Sequence, residues 1–399
     1  MTVALTWAIA LYSPPAAMSS SSRPVGLCLV LSAVMALVAA PARADNLRVA
    51  IAEGKAQVRL GTSTAAEIRD AQGRRLGSLD PQQGVYAQEE NGRVAIGTVR
   101  ASQLWIVPTG QDGLVWIGDR WYRGRAQLVP QDNGLAAINV VDIDDYLYSV
   151  VGSESPASWP LDALRAQAVA ARSYVLYRQG QSRNPLYDVG TSTRWQVYKG
   201  VEAEAPSTIQ AVHDTVGQVL TYGGRVIEAV FHASSGGHTE NVEDVWNSAV
   251  PYLRGVPDYD QSAPVFRWTK SFSVAEISQR LTGVGQVQAI EAIATTPQGR
   301  VRTARVTGDR GSITMTGDQI RKALELRSSL FTITPTNSLF SLGGLTSGGR
   351  PDSFQVEGRG FGHGLGLSQW GAFGMASQGF SYQAILGHFY RQANLAKGY

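Results

Sequence analysis

Residues 151–179, VGSESPASWPLDALRAQAVAARSYVLYRQ, constrain the fold more than any other stretch of this chain. They predict a long helix entered from a loop of Gly, Ser and Pro. Ser158 can cap it, Pro160 and Asp162 suit its first turn, and Ala, Leu, Gln and Arg fill its interior. Leu161, Leu164, Ala168, Ala171 and Val175 recur at helical spacing and predict a buried stripe. Arg165 and Arg172, a heptad apart, share a different face. Glu154 stands in the small-residue loop ahead of this helix, where a preformed helix start can hold a proton donor rigidly. An ordinary surface glutamate before an ordinary helix has the same local sequence, so the segment alone leaves both readings open.

The 399 residues suffice for one large or two modest domains. The formal charge is +3, with 17% charged and 44% hydrophobic residues. No basic run or Arg-rich arm points to nucleic acid, and the near-neutral balance fits an uncharged polymer such as a glycan better than a phosphate. The first 44 residues read as an export signal. Arg23 precedes an apolar run over 25–40, and Ala42-Arg43-Ala44 forms a small-x-small cleavage pattern before Asp45. Met18 is a plausible start. An uncleaved anchor is the alternative, though the run is shorter than the ~20 residues a span requires. Cys28, the one cysteine, lies in this run behind Leu27, which argues against a lipoprotein. Cleavage leaves no thiol for a disulfide or a thiolate zinc site. It also removes Arg23 and Arg43, bringing the 35 Lys and Arg to within one of the 32 acidic residues.

Residues 46–130 alternate with the period of short strands between turns such as Glu90-Asn91-Gly92 and Gln111-Asp112-Gly113. This part reads as a β-rich accessory or packing module, with cell-wall binding by exposed aromatics as the lesser alternative. Asn133-Gly134 turns into a strand over 135–141, and 142–151 leads to the Glu154 loop. A polar, aromatic loop follows over 185–200, then a helix over 208–216 and a hairpin over 220–231 turning at Gly223-Gly224. Another helix is expected over 275–281 and a surface loop over 341–351. The fold class expected is α+β: a strand-rich core with a few short helices flanking a substrate cleft, plus an N-terminal β-rich segment.

Three blocks carry a resemblance. Residues 145–174, DYLYSVVGSESPASWPLDALRAQAVAARSY, are followed by 231–256, FHASSGGHTENVEDVWNSAVPYLRGV, and by 358–390, GRGFGHGLGLSQWGAFGMASQGFSYQAILGHFY. In sequence and order they closely resemble the SpoIID/LytB family of stage II sporulation protein D and amidase enhancers. The resemblance spans roughly Trp121 to the C-terminus. It divides the chain into a signal peptide (1–44), an accessory segment (45–120) and a SpoIID/LytB-like catalytic domain (121–399).

Glycoside cleavage needs a carboxylic acid to protonate the departing oxygen, and a hydrolase usually adds a second carboxylate. Only Glu154 sits in a preorganised motif; Glu240, Glu243 and Asp244 lie in a polar loop. A single acid suits a lytic transglycosylase, in which the same group later takes a proton from the C6 hydroxyl of N-acetylmuramic acid. The resemblance implies this activity on peptidoglycan glycan strands, with Glu154 as the acid. It makes Arg172 a family arginine that orients or stabilises substrate oxygens; a salt bridge holding the loop to the helix is its other reading. It also makes Ser235, Gly236, Gly237 and Thr239 a wall of the cleft, and His363, Gly364, Ser368 and Gln369 sugar-binding residues. Ser368 and Gln369 should open a helix running through Met375 to near Gly379.

Residues 360–371 lack the Gly-Lys-Ser/Thr ending of a nucleotide loop, and no G-x-S-x-G elbow supports a serine hydrolase. His232 and His238 read as one buried and one exposed histidine, not a metal pair. In one block, 188–200, the chain departs from the family. Gly190, Arg194 and Trp195 stand where some members carry Cys and His, while Gln196, Tyr198 and Gly200 keep the pattern. No metal and no cofactor is therefore expected. Neither nucleic acid nor nucleotide is expected as a partner. The competing functions are a non-catalytic enhancer of a cell-wall N-acetylmuramoyl-L-alanine amidase and a structural wall-binding protein. Export to the periplasm or cell envelope follows from the signal.

Overall fold

The computed structural model describes residues 46–246, 248–336 and 351–398. The signal segment expected over 1–44 and most of the loop expected over 341–351 lie outside them. Eight helices are described: α1 (Ile143–Glu154), α2 (Leu161–Gln181), α3 (Pro206–Asp214), α4 (Val242–Val245), α5 (Val274–Arg280), α6 (Gly317–Ala323), α7 (Gln369–Ser377) and α8 (Tyr382–Phe389). With its many strands the chain is a strand-rich α+β protein.

Helix α2 organises the fold because both of its sides are buried. Leu164, Ala168, Ala171 and Val175 pack into one apolar core, as the helical spacing predicts, with Leu161 at its edge. Ala163, Ala166, Val169, Ala170 and Tyr174 pack into a second core. Small side chains on both faces let neighbours approach closely from either side. The start differs from expectation: Pro160 is the N-cap residue and provides no side-chain cap, and Ser158 lies outside the helix.

The first core is enclosed by two sheets. In one, Asn46–Lys55 lies between Gly134–Asp142, antiparallel, and Val189–Gly190, parallel. Segments on both sides of residue 120 thus share hydrogen bonds in one sheet, and the division expected there does not fall between sheets. The second sheet has six strands in the order Arg120–Tyr122, Val115–Ile117, Gln57–Thr62, Val85–Glu90, Arg93–Ile96 and Val99–Ala101. The hairpin at Gly223-Gly224 forms as read, pairing Gln218–Tyr222 with Arg225–Val226.

Residues 267–359 form a module with its own apolar core, built on Phe272, Ile277, Val306, Ile320, Phe354 and Val356. Two three-stranded sheets and helices α5 and α6 enclose it. The chain enters and leaves where the Gly360 amide donates to the Phe266 carbonyl at 3.0 Å. Its strand Ser353–Arg359 leads directly into the Gly-rich 360–366 segment.

Candidate active site

Glu154 is not in a loop: it is the last residue of α1. Asp142 caps that helix, accepting from the Asp144 amide at 2.8 Å. Near the other end the helix lies against the turn Gly200–Ala203 so closely that a Cβ on Gly152 would stand 1.9 Å from the Ala203 carbonyl oxygen. Only glycine permits that approach, and Glu154 reaches the irregular 195–199 segment at the Val197 amide.

Two donors hold the carboxyl. The Val197 amide donates to Oε1 at 2.8 Å, and the Gln369 side-chain amide donates to Oε2 at 3.4 Å. Burial pushes the proton affinity of Glu154 above the ordinary carboxylate value, outweighing these two bonds and the nearby Lys199 charge. No basic residue stands in the last turn of α1, so the negative end of the helix dipole acts in the same direction. Oε2, with its single long contact, is the freer oxygen for proton exchange.

The 195–199 segment is fixed from below. Buried Gln196 donates to the Ala171 carbonyl at 3.2 Å and accepts from the Tyr146 hydroxyl at 3.2 Å. Tyr198 donates to Asn139 Oδ1 at 2.8 Å. Trp195 lies over Gly190, whose ideal Cβ would stand 2.7 Å from the indole ring. Among the described residues, no group of three His, Cys, Asp or Glu side chains is arranged so that it could hold a metal ion.

The residues next to Gln369 join an aromatic cluster that sequence reading missed. Trp159 follows the acid by five residues, and Trp370 follows Gln369. Their rings meet edge-on with centroids 5.0 Å apart, and Phe373 lies 5.3 Å from each. All three are half-buried. The signal was visible in the quoted motifs, as two tryptophans flanking the two residues that come together.

The Ser-Ser-Gly-Gly loop rests on two buried acids, also unforeseen. Ser234 donates to Asp260 Oδ2 at 2.5 Å, and the Gly236 amide donates to the same oxygen at 2.8 Å. Ser235 donates to Asp258 Oδ2 at 2.5 Å, and Ser368 also donates to Asp258. Ser368 caps α7, accepting from the Gly371 amide at 3.1 Å. Thr239 is tied to both backbone groups of Val256. Gly237 is half-buried against Phe266. Ser235, Thr239 and Ser368 are thus buried framework side chains whose hydroxyls are already engaged.

Burial and the adjacent Asp260 push the Asp258 carboxyl up to about 7. A folded-state value above the ordinary 3.8 means that the folded chain keeps a proton which the unfolded chain releases. The stability this confers is complete at low pH and is lost as pH rises through about 7. His232 and His363 act in the opposite sense, but only below the ordinary histidine value of 6.5. The melting temperature should therefore fall as pH is raised from 6.5 through 7, and Asp258→Asn should flatten that slope. Calorimetry across this range checks it; an unchanged slope in the variant rejects the assignment.

His363 also serves the framework. Its Nδ1 accepts from the Leu365 amide and its Nε2 donates to the Phe231 carbonyl, both at 3.0 Å. Burial, aided by the Arg300 charge, pushes it down to about 4, so the ring is neutral at ordinary pH. Gly364, at φ +81°, leaves space for the Arg300 guanidinium, which a Cβ would meet at 2.4 Å. Arg300 comes from the 267–359 module and donates to the carbonyls of Ser235 at 2.8 Å and Gly362 at 3.2 Å. It also pairs with Glu240 at 3.6 Å. Glu240, expected in a polar loop, is in fact buried, and Thr296 donates to it at 2.6 Å. Glu243 pairs with Arg254, and Asp244 accepts from Asn241. His232 is buried, as read, while His238 is half-buried and bonded to the Thr239 carbonyl.

The structure does not bring Arg172 to Glu154. The guanidinium is fully buried and bonded to Asp144 in the first turn of α1, at 2.8 and 3.2 Å. It also donates to the carbonyls of Thr215 at 2.8 Å, Gln218 at 3.3 Å and Val212 at 3.4 Å. It clasps the start of α1 to the end of α3, while Glu154 stands at the far end of α1. Of the residues expected to bind sugar, Gln369 alone makes a hydrogen bond to the acid.

A family profile described as Stage II sporulation protein matches residues 131–222, which carry α1, α2 and Val197. Stage II sporulation protein D of Bacillus subtilis is 32% identical over 280 residues, covering 65% of this chain and 76% of that protein. The chain belongs to the SpoIID/LytB family. An uncharacterised protein of Brachyspira hyodysenteriae is 34% identical over 297 residues, covering 73% of this chain and 76% of its own length. The Bacillus subtilis protein named Amidase enhancer is 30% identical over 286 residues, covering 61% of this chain and 39% of that protein. A second profile, a domain of unknown function, matches residues 252–366 and so includes the inserted module.

Proposed function

We propose that this SpoIID/LytB protein is an exported lytic transglycosylase that cleaves the MurNAc–GlcNAc bond of peptidoglycan and leaves 1,6-anhydro-MurNAc ends. One observation carries the reading: Glu154 is a half-buried carboxyl of raised proton affinity, held by the Val197 amide and by Gln369, whose neighbour Trp370 packs with Trp159 and Phe373. The protonated carboxyl gives its proton to the glycosidic oxygen as the C1–O bond breaks. The C6 hydroxyl oxygen of the same sugar then bonds to C1, and its proton returns to Glu154. No water is consumed and no second carboxylate is needed. The rings supply apolar faces for sugar stacking. The acids of the 240–260 segment are committed to Arg300, Arg254, Asn241 and the serines of the loop.

Mass spectrometry of purified glycan strands after incubation with the mature protein tests this. Anhydro-terminated fragments are expected. Fragments that have gained water would mean a hydrolase. A second reading, stimulation of a cell-wall amidase without catalysis, is favoured by the likeness to the protein named Amidase enhancer. It predicts no glycan fragments and faster amidase turnover. Export is part of the proposal: sequencing of the envelope-associated protein should begin at Asp45, and retention of residues 25–40 would reject cleavage.

A further inference from the structure

We infer that the outer face of the six-stranded sheet carries a second sugar-binding platform, which grips uncharged sugars of the glycan strand away from the bond that is cut. This rests on the proposed glycan substrate and adds a site remote from Glu154. The observation is a run of aromatic side chains on the solvent side of that sheet. Leu60, Val85, Ala87, Val115, Ile117 and Tyr122 pack into the first core. Successive strand residues point to opposite faces, so Arg59, Gly61, Tyr86, Trp116 and Trp121 lie on the outward one. Trp121 stands directly opposite Trp116, Trp116 opposite Gly61, and Arg59 opposite Tyr86, across four adjacent strands. At the usual strand spacing the run is roughly 14 Å wide. The Tyr86 ring, at its far end, is 55% exposed.

The platform is concave and its rings are fixed. Trp116 and Trp121 line a groove of about 240 Å³ with Arg59, Gly61, Gln82 and Gly84. The two indoles meet at 76° with centroids 5.3 Å apart and form a corner. Trp116 is locked by its N–H, which donates to the Gly118 carbonyl at 2.8 Å. Gly61 puts no side chain on the floor beside it. Arg59 and Gln82 are exposed at the rim, and no hydrogen bond or ion pair engages either side chain among the described residues. Apolar ring faces beside planar donors, with no acid in the lining, suit the flat C–H face and the hydroxyls of a sugar. The platform is also continuous with the candidate active site. The Tyr122 ring lies 5.3 Å from Tyr198, and an ideal Cβ on Gly200 would stand 2.1 Å from the Trp121 carbonyl oxygen. Both contacts fall on the segment whose Val197 amide holds Glu154. From Val197 to Gly200 the chain can span at most ~11 Å, so one strand can reach both places.

Calorimetry tests this with Glu154→Gln as the background, so that no strand is cut. The probes are a neutral tetramer of N-acetylglucosamine and peptide-free glycan strands. Adding Trp116→Ala and Trp121→Ala should remove one tetramer site per chain and weaken binding to the strands about tenfold or more, with little dependence on salt. Trp116→Phe with Trp121→Phe should recover part of the loss. Should the alanine pair fail to fold, Tyr86→Ala, whose ring is too exposed to support the core, must still weaken binding to the strands. Equal stoichiometry and affinity with and without these rings overturns the inference. So does a loss confined to the strands, whose muramic acid carboxylates the tetramer lacks, because Arg59 would then be reading charge. Loss of binding to a cell-wall amidase with sugar binding intact also overturns it, in favour of a protein partner. A wild-type protein that binds sugars through the tryptophans yet cuts no strand would remove the transglycosylase reading and leave the platform in place.

Discussion

Glu154→Gln should fold and bind glycan like the wild type yet release essentially no anhydro-terminated fragments. Glutamine keeps the size of the side chain and an oxygen for the Val197 amide, but has no proton to transfer. Loss of a general acid costs ~10²–10⁴-fold in rate, and more where the same group must also act as the base. The acid step needs the protonated carboxyl, so wild-type activity should fall as pH rises through the raised value of Glu154. An equally active Glu154→Gln variant would show that another group supplies the proton. If wild type makes no anhydro ends while both proteins stimulate an amidase equally, the enhancer reading stands instead.

The second large effect is expected at Arg172, on stability and not on the chemical step. Arg172→Ala removes a fully buried charge whose donors serve Asp144 and the carbonyls of Val212, Thr215 and Gln218. These acceptors would be left inside the protein without their donor. Breaking such a buried cluster from one side costs ~3–5 kcal/mol, to be measured by urea unfolding. Arg172→Lys should recover little, since a single ammonium cannot reach acceptors on α1 and α3 together. A variant of unchanged stability that had lost activity would return Arg172 to the catalytic group.

What the sequence made legible follows from how local each signal was. Helix α2 was readable because its small and apolar residues recur with the helical period over several turns, and Ser368 at the start of α7 because a cap is a local device. Helix α1 was not read, although Asp142 could cap it and Asp144 and Asp145 stand in its first turn. Its later residues, Ser-Val-Val-Gly-Ser, have low helix propensity, and packing against Ala203 overrides them. Glu154 itself was named from its motif, but its donors were not. The Val197 amide carries no side-chain signature, and Asp258 and Arg300 reach the loop from 23 and 65 residues away. Arg172 shows the converse: a motif position marks that a residue matters without saying whether chemistry or architecture requires it.

The hydrogen bond from Gln369 to Glu154 joins residues 215 positions apart. On a ribosome the acid is therefore made long before the side chain that steadies its Oε2, and Trp370 arrives just as late. Closing so long a loop is slow and depends on everything between being in place. A nascent or prematurely terminated chain ending before Gln369 would hold the carboxyl on Val197 alone and would lack Trp370 and Phe373. The wall-cutting capacity proposed here would thus need almost the whole chain, and a truncation more than two hundred residues beyond Glu154 would still strip the acid of its second donor.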